Sequence, residues 1–262
     1  MNGQNCLAAV GVIAWSQWRE QWRSRSFLIA VFFSGVLLYA SFLLGALAAD
    51  QELRTLLDFG QSFIELMGLG LAVFGAATGV LREMEQKTLY LILTRPVPRW
   101  AYLLGRYFGL LMTTFGAVAF MTAVHLSVLA WKGWAFEPAY LLGVFGILLK
   151  LAVACALATF LALFTTSVLS ALTVTGILWT LGHFIPEMTF LAKKSRSLYG
   201  MSPMLAVTYL VPNLGLFNFR DRLSVPSFVL PSEPVAAAAL YAAAYSSACL
   251  LLGYAFFRRK EF

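Results

Sequence analysis

The chain has 262 residues, of which 60% are hydrophobic and 12% charged, with a net charge of +7. An average soluble domain is about a quarter charged and about half apolar, and a chain this small cannot hide so much apolar surface from water. The composition excludes a soluble enzyme, a disordered chain and a secreted disulfide scaffold, and it defines a polytopic membrane protein.

Residues 6–25 come first. Trp15, Trp18 and Trp22 are spaced three and four apart and share one helical face, with Arg19, Glu20 and Arg23 largely off it. This pattern predicts an interfacial elbow helix lying flat on the membrane; the alternative is a cytoplasmic extension of the first span. No basic stretch precedes the first apolar run, so no cleaved leader is expected.

Six apolar stretches follow, at about 27–48, 61–81, 103–131, 139–164, 168–187 and 235–257. Each approaches the ~20 residues that cross a bilayer as a helix. The alternation of a membrane β-barrel is missing, so the expected class is an all-α membrane protein forming one transmembrane domain over 1–262. Six spans put both termini on one side. Eleven of the 19 Lys and Arg fall on that side and seven on the other, with Lys150 inside a span. The excess predicts cytoplasmic termini.

Within the spans, Glu65 lies one turn inside the outer end of the second. It either complements that helix end or belongs to an outer gate. Lys150 falls mid-span, where an ammonium costs about 2.5–3.5 kcal/mol on insertion scales. It contacts an anionic substrate, pairs with an acid on another helix, or snorkels to a wet crevice. Ser170 and Thr173, with Ser167, Thr175 and Thr180, make the fifth span mildly polar, a weak sign of a lined path. His125 and His183 stand alone, with no ligand at metal spacing, and read as packing or polar contacts between helices. Gly75-x-x-x-Gly79 and Gly105-x-x-x-Gly109 permit close helix approach. Cys6, Cys155 and Cys249 are scattered and form neither a disulfide framework nor a metal site. Segment 188–234, with five prolines, exceeds an ordinary connection. It is expected to form one or two re-entrant or interfacial helices on the outer face, or to dip into the bilayer over 204–219.

The inner segment 82–99 reads REMEQKTLYLILTRPVPR. Leu89, Ile92 and Leu93 form one apolar stripe, Glu83 and Glu85 lie toward the start, and Arg95 stands at the end, as the helix dipole favours. Pro96 and Pro98 stop the helix. A short amphipathic helix on the cytoplasmic side suits a partner's groove; a membrane-surface linker helix is the plainer alternative. No G-x-x-x-x-G-K-[ST] phosphate loop, H-E-x-x-H or G-x-S-x-G occurs in the sequence. No catalytic or metal residue is expected, and no nucleic-acid partner.

This run resembles the loop between spans two and three of ABC-2-type transporter permeases. Glu83, Glu85, Thr88, Leu89, Thr94, Pro96, Arg99, Gly105 and Arg106 fill the matching places. The order of elements also matches, down to the basic tail at Arg258, Arg259 and Lys260. The resemblance implies a coupling helix, with Glu83, Glu85, Thr88, Leu89, Tyr90, Ile92, Leu93, Arg95, Pro96 and Arg99 contacting a separate ABC-type ATPase that holds ATP and Mg. It further implies an exporter of the bacterial inner membrane, a second permease copy, and a path between spans two and five. Within the same family, a relay of force to a periplasmic partner without transport is the second expectation. A structural membrane anchor is the third.

Overall fold

The computed structural model describes residues 3–23, 25–47, 52–85, 98–165, 167–194, 207–219 and 232–259. The described chain is all-helical, with no strand. The helices are α1 (Gly3–Trp22), α2 (Arg25–Leu47), α3 (Glu52–Glu85), α4 (Arg99–Trp131), α5 (Pro138–Ala162), α6 (Val168–His183), α7 (Ile185–Lys194) and α8 (Ser232–Arg259), with a 3-10 turn at Leu214–Phe217. The expected coupling helix falls in 86–97, outside the described residues.

Four helices are long and apolar enough to cross a membrane: Glu52–Leu81, Arg99–Trp131, Pro138–Ala162 and Pro234–Arg258. This is compatible with a multi-pass membrane protein. α6 and α7 together pass the same length and composition test but bend by 54° at Phe184. Pro186 follows the break and has no N–H to continue the ladder. α2, at the place of the expected first span, contributes a shorter apolar helical run, Ser34–Leu47, and packs on α3.

α3 begins at Glu52, nine positions before the expected start of the second span. Its 34 residues extend about 51 Å at 1.5 Å per residue, well beyond ~30 Å of hydrocarbon. Glu52 occupies the positive helix start. α4 ends in a glycine turn: Gly133 has φ +80°, and Gly133 and Trp134 return their N–H groups to Ala130 and Leu129. Pro138 then opens α5.

α5 is the central helix, with 72% of its apolar window buried, whereas α8 is peripheral at 22%. α3, α4, α6 and α8 pack around α5, and α2 lies outside α3. At one end of the bundle Lys132 meets Glu52; at the other, Arg99 meets the close of α8.

α1 packs against the bundle. It lies lengthwise on α4 rather than across its end, because two glycines remove the side chains that would hold the helices apart. A Cβ on Gly105 would stand 2.7 Å from Ile13, and one on Gly109 2.8 Å from the Ala14 carbonyl. Further along, Gln21 donates to the Gly75 carbonyl of α3 at 3.2 Å. Contacts therefore advance along both helices in step. The Trp rings pack on each other, 4.6 Å and 5.9 Å between successive centroids, and Trp15 and Trp22 stay exposed.

Candidate functional site

The bundle buries a charged cluster where α3, α5 and α6 meet. Lys150 Nζ donates to Glu65 Oε1 at 2.9 Å and to Oε2 at 3.0 Å. The side chains are only 3% and 9% exposed. Lys150 lies twelve positions into α5 and Glu65 thirteen into α3, each about 18–20 Å from its helix start. Neither reaches an end of its helix. The reading of Glu65 as a helix-end complement is thus corrected: Glu52 holds that place. Of the three readings of Lys150, the structure shows the ion pair between helices.

His183 completes the cluster from α6. Its Nδ1 lies 3.1 Å from the Trp179 carbonyl, which only accepts, so Nδ1 carries hydrogen. Nε2 lies 3.3 Å from Lys150 Nζ and 3.1 Å from Glu65 Oε1. The ring faces one cation and one anion through a single nitrogen.

A returning segment covers this cluster. Residues 207–219 fold back onto α5, α6 and α8, burying Val211, Leu214, Phe217 and Phe219. Gly146, eight residues into α5, accepts the Phe217 backbone so closely that any Cβ would overlap the carbonyl oxygen. Gly182 does the same for Pro212, whose carbonyl oxygen a Cβ would meet at 2.7 Å. The Asn213 N–H donates to Tyr241 Oη at 2.9 Å, and Tyr245 Oη donates to the Leu210 carbonyl at 3.1 Å. Part of the expected outer segment is thus seated about 12 Å down α5. Beneath it Gln61, Glu65, Gly143, Ile147, Lys150, Phe217, Asn218 and Phe219 line a pocket of about 10 Å³, room for one water. Gln61 Nε2 donates to the Tyr140 carbonyl at 3.4 Å, and its Oε1 is buried with no hydrogen-bond partner among the described residues.

A second polar cluster ties the helix ends flanking 86–97. Arg106 pairs with Glu83, and Tyr102 Oη donates to the same carboxylate. The Tyr102 ring stacks on Phe257 at 5.9 Å. Arg99 Nη1 donates to the Phe257 and Arg258 carbonyls, both at 2.9 Å, closing the last turn of α8. Of the residues expected at the ATPase contact, Glu83 and Arg99 are therefore bundle-tied roots. Thr88, Leu89, Tyr90, Ile92, Leu93, Arg95 and Pro96 lie outside the described residues, as does the side chain of Glu85.

The other flagged residues sit apart. Ser170 and Thr173 are exposed on α6, and Thr173 donates to the Leu169 carbonyl at 2.8 Å rather than lining the buried cluster. His125 is a polar contact between helices: Nδ1 lies 2.8 Å from Tyr140 Oη and Nε2 3.3 Å from the Leu56 carbonyl. Gly60 leaves the space its ring needs. No group of three metal-ligating side chains occurs among the described residues. Sequence reasoning missed His183 and Gln61 as members of the site. The available signal was one acid and one ammonium alone in otherwise apolar spans, each requiring a polar environment. No protein-family model matches the chain, and no curated protein matches its sequence.

Proposed function

We propose that the chain is the membrane subunit of an ATP-driven ABC-2-type transporter, an exporter of the bacterial inner membrane. A separate ABC-type ATPase, holding ATP and Mg, docks on 83–99, and a second permease copy completes the unit. In this reading α2 and the bent α6–α7 pair join the four long helices as six crossings. The end that gathers Arg99, Arg106 and Arg258 faces the cytoplasm, with both termini. The observation that carries the reading is the anchorage of 86–97 at both roots. Glu83 is tied to α4 and Arg99 to the close of α8. A helix formed by 86–97 would therefore pass a push to three helices of the bundle.

The test is affinity purification of the full chain from its native membrane. Two buried leucines contribute about 1.5–3 kcal/mol each. Leu89→Ser with Leu93→Ser thus lowers ATPase recovery at least about a hundredfold. Undiminished recovery sinks the interface assignment, and absence of any ATPase from the wild-type sample favours an anchor.

A force relay is the second reading, and α8 is the observation that favours it. The same helix receives Arg99 at one end and, through Tyr241 and Tyr245, the returning segment toward the other. Stoichiometric periplasmic proteins in the purified sample select relay over export.

A further inference from the structure

We propose that Glu65, Lys150 and His183 form a proton-binding site whose occupancy transfers the tether of α6 from Lys150 on α5 to Glu65 on α3. The inference rests on which atoms donate and is independent of any ATPase. His183 Nδ1 is committed as a donor to the Trp179 carbonyl at 3.1 Å. The neutral ring therefore has a bare Nε2. That lone pair accepts from Lys150 Nζ at 3.3 Å, while the 3.1 Å approach to Glu65 Oε1 sets two acceptors together. A proton on Nε2 reverses both contacts. Nε2–H now donates to Oε1, and two donors face each other at Lys150.

The balance is simple. Water supplies one proton, the Lys150 N–H···Nε2 bond breaks, and the Nε2–H···Oε1 bond forms. Lys150 stays charged and keeps Glu65 Oε2 at 3.0 Å. The cluster goes from neutral to +1. Lys150 lines the same water-sized pocket as Gln61, whose Oε1 is buried with no partner among the described residues. His183 is the least buried of the three, its side chain 31% exposed against 3% for Lys150.

The charged groups facing His183 are Glu65 from α3 and Lys150 from α5. The 207–219 segment carries no Asp, Glu, Lys, Arg or His, and its Tyr209 and Glu187 on α7 are exposed. Since α6 runs directly into the 54° bend, exchanging its partner alters how the bent pair is held.

The test is nitrogen NMR of the full chain in detergent, labelled at histidine. Only His125 and His183 contribute, and His183→Gln identifies the second. The neutral His183 ring shows the Nδ1–H tautomer, and on acidification both nitrogens carry hydrogen. In Lys150→Met the donor to Nε2 is gone, so the Nε2 resonance of the neutral ring moves to that of an imidazole nitrogen that accepts no hydrogen bond. A neutral Nε2–H tautomer overturns the proposal, as does a ring that gains no second proton before the chain unfolds in acid. A Lys150→Met spectrum that follows the wild type overturns the competition. If that variant does not fold, the wild-type spectra alone decide.

Discussion

Removing one charge from the Glu65–Lys150 pair costs far more than removing both. Glu65→Leu strands an ammonium that is 3% exposed and has lost two hydrogen bonds of 2.9 and 3.0 Å. Breaking a buried pair on one side costs about 3–5 kcal/mol, because the remaining charge keeps its desolvation penalty. Lys150→Met strands the carboxylate and falls in the same range. For a chain of this size ~1 kcal/mol corresponds to roughly 2–4 °C, so each single variant melts about 10 °C below the wild type. The double variant has no buried charge left to strand and melts within a few degrees of the wild type. Unfolding can be followed in detergent with a thiol-reactive dye, since Cys155 and Cys249 are buried and free. A double variant that loses the sum of the singles, about 20 °C, would refute the reasoning. It would mean that the two groups are held by their surroundings rather than by each other.

Three further outcomes test the packing. Gly60→Ala drives a methyl group into the His125 ring and breaks its contacts to Tyr140 and Leu56. It lowers stability by about 2–4 kcal/mol, and adding His125→Ala restores part of the loss in the same melt. Gly109→Val forces α1 off α4, because the first added carbon already meets the Ala14 carbonyl at 2.8 Å. Limited proteolysis then cleaves within residues 3–23 before the rest of the chain, while equal protection refutes the docking. Lys132→Met costs less than about 1 kcal/mol, because Lys132 and Glu52 are 27% and 34% exposed and water screens the pair. A melt as low as that of Lys150→Met would contradict the distinction between exposed and buried pairs.

The all-helical class was legible in the sequence, and the lengths of its apolar runs made most of the long helices so. Lys150 and Glu65 were each visible as costly intrusions into apolar spans. Their pairing was not, because the partners are 85 residues apart in sequence. His183 is 118 residues from Glu65, and an isolated imidazole carries no mark of the helix it will face. The hydroxyls of the fifth span are satisfied locally. Thr173, Thr175 and Thr180 each donate to the carbonyl four residues back, so their polarity is satisfied inside α6. Gly143 and Gly146 stand where Gln61 and the returning Phe217 backbone approach α5. In the sequence they are only small residues in an apolar run. The Trp stripe of α1 was read correctly as one face, but the face that docks is the neighbouring one, carrying Ala14 and Gln17.

The seat of α1 has a consequence for the order of biogenesis. Its docking surface is built from Gly75 on α3 and Gly105 and Gly109 on α4, 54 to 95 positions downstream of the α1 residues they meet. At about 5–20 residues per second, a ribosome needs roughly 5–20 s to supply that stretch. Throughout that interval the first helix made has no groove to occupy. Its exposed indole rings and flanking arginines suit the membrane surface, so the bilayer interface serves as a waiting room. Final seating is then a late step of maturation, gated by the arrival of α4.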